Sequence, residues 1–197
     1  DGKFSGDMRG VAVNEGNRQL YVVDAGVGQV ERFNLDSKAH LGTFGSIGSG
    51  PGQFGDGGRQ VTVDGDDNVW VADYGNTRVL KFTANGGFLA AYPNPPMKPP
   101  AGSLAQPRDV AIGASNSVWT AEQNNHRLQR FTAAGAPNGM WGKRGSTPPL
   151  GFNYPRGIAV QPGSGRIWVA NTTDGTVRVL TPTMKLAFEI KNLGSLA

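Results

Sequence analysis

Tyr21, Trp70, Trp119 and Trp168 stand at a constant interval of 49 in a chain of 197 residues. Asp24, Asp73, Glu122 and Asn171 keep the same interval, and so do Phe33, Phe82, Phe131 and Leu180. Composition bias does not produce three registers with one shared step. The chain is a tandem repeat, and four periods fill it almost to the last residue. A period near 50 predicts an array of supersecondary units, each unable to cover its own apolar surface without a neighbour.

The stretch from Asn68 to Phe82 shows what the unit is made of. Val69-Trp70-Val71-Ala72 is apolar, β-branched or aromatic. Asp73-Tyr74-Gly75-Asn76 turns the chain, and Arg78 to Phe82 runs back, which reads as a β-hairpin. A further strand precedes it in each repeat, at Val11, Val61, Val110 and Ile158. It is joined through turn formers such as Asp64-Gly65-Asp66-Asp67 and Gly113-Ala114-Ser115-Asn116. A fourth strand carries Phe44, Tyr92, Trp141 or Ile190 and ends in a long Gly/Pro-containing loop. Four strands in series make an antiparallel meander with two apolar faces, and stacking such sheets around an axis covers both. The expected fold is therefore all-β, a β-propeller of four-stranded antiparallel blades. It forms a single region over residues 1–197, with blades at 1–47, 48–96, 97–145 and 146–197. Trp70, Trp119 and Trp168 are expected between blades, each burying ~200 Å², worth at most about 5 kcal/mol.

Composition narrows the function. The 30 glycines and 13 prolines fit many turns between short strands. There are no cysteines, hence no disulfide framework and no thiolate chemistry. No apolar run approaches the ~20 residues of a membrane span. The chain opens Asp1-Gly2-Lys3 without an apolar leader segment. A net charge of +4 does not by itself argue for nucleic acid. Gly2-Lys3-Phe4 matches Gly52-Gln53-Phe54, so residue 1 lies inside an inter-repeat loop, and Asn192 to Ser195 starts another. The expectation is an array with further blades, or one that self-associates through its end-blade faces. The faces expected to be at risk carry Tyr21 and Val23 in the first blade, and Trp168 and Val169 in the last.

The repeat also resembles a known family. Pro107-Arg108-Asp109-Val110-Ala111-Ile112 and Pro155-Arg156-Gly157-Ile158-Ala159-Val160 carry one part of the pattern. Val71-Ala72-Asp73, Asn76-Thr77-Arg78-Val79 and Asn125-His126-Arg127-Leu128 carry the rest. Together they resemble the NHL repeat. The first repeat departs from it at Met8 and at Val27-Gly28-Gln29, and the fourth at Asn171 and Asp174-Gly175-Thr176. The resemblance implies a propeller, usually of about six blades, so four fall short of the usual ring.

The candidate site is the mouth of the channel such a fold encloses. Arg9, Arg59, Arg108 and Arg156 each open a first strand, and Asp24, Asp73, Glu122 and Asn171 each end a second strand at the same end of the blade. With Tyr74 and His126 they form a polar ring suited to an anionic or peptide ligand. The structural alternative pairs each arginine with an acid to tie blades together. In the fourth blade Asn171 cannot neutralise Arg156, which makes Arg156 the arginine to test for a ligand.

His126 takes the family's histidine position, where packing or turn hydrogen bonding is the expected role. His40 falls in the connection from third to fourth strand, at the opposite end, so the two histidines cannot converge on one metal. Some NHL propellers are peptide-amidating lyases with a histidine-held zinc. Trp141-Gly142 and Gly151-Phe152 resemble those, but Arg156 stands where a histidine would be needed. Asp64, Asp66 and Asn68 alternate like a calcium loop, yet Val69 and Gly75 break the pattern, so a hairpin turn is expected. The run from Gly45 to Gly58 precedes a strand and not a helix, and is no phosphate cradle. Pro93 to Pro100 reads as a stiff, extended surface loop.

No catalytic set converges, and no cofactor or metal is expected. The reading that follows is a non-catalytic binding or scaffold module for a protein, peptide or glycan. One alternative is a propeller enzyme of the lyase or lactonase type, completed by blades outside this chain. The other is RNA binding on a basic face. The sequence does not fix localisation; an extracellular or cell-surface one is preferred.

Overall fold

The computed structural model describes residues 4–92 and 104–191. The segment Pro93–Pro100 lies outside them, as do Asn192 to Ser195. The chain divides into two compact units, 1–97 and 98–197.

In the first unit, β1 (Met8–Asn14), β2 (Gln19–Asp24), β3 (Gln29–Asn34) and β4 (His40–Phe44) form one antiparallel sheet in chain order. β5 (Val61–Val63), β6 (Val69–Asp73), β7 (Arg78–Phe82) and β8 (Phe88–Tyr92) form the next. The second unit repeats the plan. Its sheets are β9 (Pro107–Ile112), β10 (Val118–Glu122), β11 (Arg127–Phe131) and β12 (Pro137–Trp141), and then β15 (Pro155–Val160), β16 (Ile167–Asn171), β17 (Thr176–Leu180) and β18 (Leu186–Lys191). Between them a short parallel pair, β13 (Lys143–Arg144) and β14 (Gly151–Phe152), closes the connecting loop. The glycine-rich loop of the first unit has its counterpart in the parallel bridge Ile47–Phe54. Phe54 and Phe152 are both fully buried, so these loops are part of the core.

Each sheet has three tight turns, and one residue at positive φ recurs in each kind of turn, with Ser115 and Gly163 as additional positive-φ residues in two of them. Between first and second strands it is Arg18, Asp67, Asn116 and Gly165; between second and third, Gly28, Thr77, His126 and Gly175. Between third and fourth it is Lys38, Gly86, Gly135 and Met184. Glycine holds five of the twelve places, and elsewhere an L side chain tolerates a conformation it rarely adopts.

Packing within each unit is face to face. Tyr21, Val23, Val30 and Phe44 of the first sheet meet Val61, Val69, Val71 and Leu80 of the second. In the second unit Ala111, Trp119, Ala121 and Leu128 meet Ile158, Ile167, Val169 and Leu180. The first strands lie side by side, β1 with β5 and β9 with β15.

This arrangement corrects the expected exposed faces. Tyr21, Val23 and Val169 have no exposed surface, because they point into the sheet–sheet contacts. The apolar surface left uncovered on the first sheet is the alternate register, with Val11 59% and Val13 48% exposed. On the last sheet Phe188 and Ile190 are exposed beside the half-buried Trp168. Trp70 and Trp119 are buried. His40 begins β4, not a connection, and its Nε2 lies 2.7 Å from Glu31 Oε2. Among the described residues no helix is long and apolar enough to cross a membrane.

Candidate functional site

The first-strand arginines have different fates. Arg9 Nε and Nη2 donate to the Asp7 carboxylate at 3.0 and 2.7 Å, and Nη1 donates to the Asp56 carbonyl at 2.6 Å. Arg59 Nη2 donates to Asp56 Oδ2 at 2.6 Å, and its guanidinium lies 4.7 Å from the centre of the Tyr74 ring. Arg108 is half-buried and engaged by its surroundings. Arg156 is exposed, and makes no hydrogen bond or ion pair among the described residues.

In the first unit the strand-opening Arg9 and Arg59 are held by Asp7 and Asp56 and not by Asp24 and Asp73, so the expected pairing of strand-opening arginines with strand-ending acids is not the arrangement found there. Each strand-ending side chain instead grips the loop that enters its own sheet. Asp24 accepts the Ser5 N–H at 2.6 Å, Asp73 that of Gly55 at 2.8 Å, Glu122 that of Ala105 at 3.0 Å, and Asn171 Oδ1 that of Asn153 at 2.6 Å. In the two central sheets the turn adds more donors: Asn76 and Arg78 to Asp73, and Asn125 and Arg127 to Glu122. All four side chains have no exposed surface. A buried carboxylate is stable only when so supplied. These four hold loops and present nothing to a ligand.

The fourth repeat inverts the pattern. Asn171 Nδ2 donates to Asp174 Oδ2 at 2.6 Å, so the acid has moved to the place held by Asn76 and Asn125 in the earlier repeats. Arg178, buried, answers it with Nη2 3.5 Å from Asp174 Oδ2, and donates through Nε to Glu189 Oε1 at 2.7 Å. It also donates to the carbonyls of Ser146 and Gly151.

His126 is buried, with its ring 4.6 Å from that of Tyr154, and its Nδ1 accepts the Tyr154 N–H at 3.2 Å. Burial, followed by the field of Arg144, lowers its pKa below the ordinary value and favours the neutral ring. Asp64 closes the β5–β6 turn by accepting the N–H groups of Asp66 and Asn68, both at 2.9 Å. This is the geometry of a hairpin turn. Among the described residues no group of three His, Asp or Glu could hold a metal ion.

The sequence reading passed over Asp109. Its Oδ2 accepts the Ile158 N–H at 2.7 Å and its Oδ1 that of Val110 at 2.8 Å, with no ion pair among the described residues. Burial outweighs these bonds and raises its pKa to about 6. The signal was an acid beside Val110, at the place that Gly10, Gln60 and Gly157 hold in the other repeats.

Sheets of this kind, joined by loops that each close onto the next second strand, are the blades of a β-propeller. Residues 104–131 match the NHL repeat, so the chain carries a repeat of that family within an all-β propeller fold. No curated protein matches the chain. Among solved structures, a streptogramin B lyase is similar with a TM-score of 0.69 and 20% identity, over 96% of this chain and 56% of that one. A virginiamycin B lyase from Staphylococcus aureus gives 0.71 and 15%, over 99% of this chain and 59% of that one. A chain of a nidogen/laminin complex gives 0.71 and 15%, over 94% and 64%. The chain thus spans less than two thirds of the length of each, and the likeness shows the fold.

Proposed function

We propose that the chain is a binding or scaffold module, without catalysis of its own, that takes an anionic stretch of a protein, peptide or glycan at the end of the blades where the first strands open. The observation that carries this reading is Arg156: exposed, opening β15, and without a hydrogen bond or ion pair among the described residues. Arg9 and Arg59 flank the corresponding place in the first unit but are already bound to Asp7 and Asp56. A charged donor with open positions is the natural anchor for carboxylate or sulfate groups. The similarity to a chain of a nidogen/laminin complex supports the idea that such a fold can serve in a protein assembly. A scaffold role outside the cell belongs to the same reading.

The test is a binding titration of decaglutamate and of a heparin oligosaccharide at several salt concentrations. Wild-type protein should bind at least one, more weakly as salt rises, and Arg156→Glu should weaken that binding by about ten-fold or more. Equal binding by both proteins would remove Arg156 from the site. Binding confined to single-stranded RNA, or stoichiometric zinc or calcium in the longest natural chain, would favour the RNA-binding or the enzymatic alternative.

A further inference from the structure

The second and third sheets carry matching donors and aromatic rings at the same places, and the one acceptor without a counterpart is missing beside a cavity. In the second sheet the Asp64 carboxylate is a hub. Its Oδ2 accepts the Trp70 Nε1–H at 2.8 Å and the Asn68 Nδ2–H at 3.1 Å, with Lys81 Nζ at 3.6 Å. Lys81 pairs with Trp70 across the strands and lies over its ring at 4.7 Å, while Tyr92 stacks on that indole with centroids 5.5 Å apart.

Forty-nine residues on, the donors return. Trp119 replaces Trp70, and Arg130 replaces Lys81 as its cross-strand partner, with its guanidinium 5.3 Å from the Trp119 ring. Trp141 stacks on Trp119 at 5.2 Å as Tyr92 does on Trp70. Ser117 takes the place of Asn68. The turn is the same too, since Gly113 N donates to Ser117 O as Asp64 N donates to Asn68 O. The acid alone is missing, because Gly113 stands where Asp64 stood.

Three donors are therefore left without their acceptor. Trp119 Nε1 and Ser117 Oγ make no hydrogen bond among the described residues, yet both point to the spot where a side chain on residue 113 would start, each 2.9 Å from that position. Arg130 donates through Nε to the Asn138 carbonyl at 3.0 Å, and its two terminal nitrogens are unbonded among the described residues. These groups line a cavity of about 390 Å³ between the turns of the third and fourth sheets, with Ser115, Thr132, Val160 and Pro182. Its size falls within the range of small-molecule sites, and its lining mixes apolar surface with a few converging donors.

The geometry points to a binding site for a small organic carboxylate, whose carboxylate group does in the third sheet what Asp64 does in the second. It would accept from the Trp119 indole N–H and the Ser117 hydroxyl and pair with the Arg130 guanidinium. A bidentate arginine–carboxylate contact over an aromatic face is among the stronger polar contacts available. The site is at the opposite end of the blade from Arg156 and stands or falls independently of the function proposed above.

The experiment follows the four indole N–H signals by nitrogen–proton correlation NMR while sodium benzoate or sodium glucuronate is added. Trp119→Phe identifies the Trp119 signal by its loss. With one or both carboxylates that signal should shift saturably while the Trp70 signal stays, and neutral benzamide should leave both in place. Arg130→Met keeps apolar contact with the indole and removes the charge; its apparent Kd should rise about ten-fold or more, with the Trp70 and Trp168 signals confirming that it is folded. An unmoved Trp119 signal at tens of millimolar of both carboxylates would overturn the proposal. So would an equal response to benzamide, or equal affinity in Arg130→Met.

Discussion

Asp109 reaches from the first strand of the third sheet to accept the backbone N–H of Ile158, 49 residues later, at 2.7 Å. The carboxyl ties β9 to β15 without an ion pair among the described residues, and its pKa rises to about 6. The sign follows from the unfolded value, near 3.9. As pH rises from about 4, the unfolded chain gives up this proton before the folded one does, so stability falls until about pH 6 and is then level. The loss is on the order of 2–3 kcal/mol, from two pKa units at about 1.4 kcal/mol each. Denaturant unfolding of wild type and Asp109→Asn between pH 4 and 7.5 should give a difference curve that shifts in favour of the variant across that window. A flat difference would show that the carboxyl titrates normally. Asp64 works the other way: burial raises its pKa, but the bonds from Trp70 and Asn68 outweigh it, and its contribution is lost as acid protonates it.

Thr77 is an exposed β-branched residue at φ 56°, in the turn between second and third strands. The left-handed region costs an L residue roughly 1–2 kcal/mol, and asparagine the least among non-glycine residues. Thr77→Asn should therefore raise stability by about 0.5–1 kcal/mol, read as a higher denaturant midpoint with an unchanged slope.

The exchange of roles between Asn171 and Asp174 makes a sharper test. Repeat averaging would restore an acid at residue 171, yet Asn171→Asp would set two carboxylates against each other where one 2.6 Å hydrogen bond now stands. A loss of about 2 kcal/mol is expected. Adding Asp174→Asn should recover at least about 1 kcal/mol of it, a coupling that a double-mutant cycle measures directly. Additivity of the two changes would show that the pair does not act as a unit.

Arg178→Met should be among the most damaging single changes. The guanidinium is 1% exposed and serves Asp174, Glu189 and two loop carbonyls. Its removal leaves charged groups buried without a partner, which costs about 3–5 kcal/mol. Thermal unfolding should show it. A melting temperature within 2 °C of wild type, a negligible change for a domain of this size, would mean that water replaces the arginine easily.

The strands, their order and the buried tryptophans were legible because period-two alternation and the 49-residue step are local signals. The direction of packing was not. A sheet with apolar residues on both faces has two registers, and only the neighbouring sheet decides that Tyr21 and Val23 are covered while Val11 and Val13 are not. The partners of Asp24, Asp73 and Glu122 were missed for a similar reason. Their donors arrive from loop residues 17 to 19 positions earlier, and a backbone N–H leaves no mark in the sequence. Asn171 at the acid position does not account for the unpaired Arg156, since the equivalent Arg9 and Arg59 are held by Asp7 and Asp56 and not by Asp24 and Asp73. Gly113 could have been noticed from the same alignment, had Asp64 been known to hold Trp70 and not only its own turn.

The grip of each second strand on the loop before it also says where this chain can be divided. The loop that looks like a spacer after one sheet is bonded into the following one, through Gly55 to Asp73 and through Asn153 to Asn171. A cut at the end of such a loop separates a buried strand-ending side chain from its donor; a cut just after a fourth strand keeps that pair together. The module that can be copied, removed or transplanted intact begins with the loop and ends with the fourth strand, as in residues 45–92. Gain or loss of blades in that frame keeps each of these loop-to-strand bonds within one module.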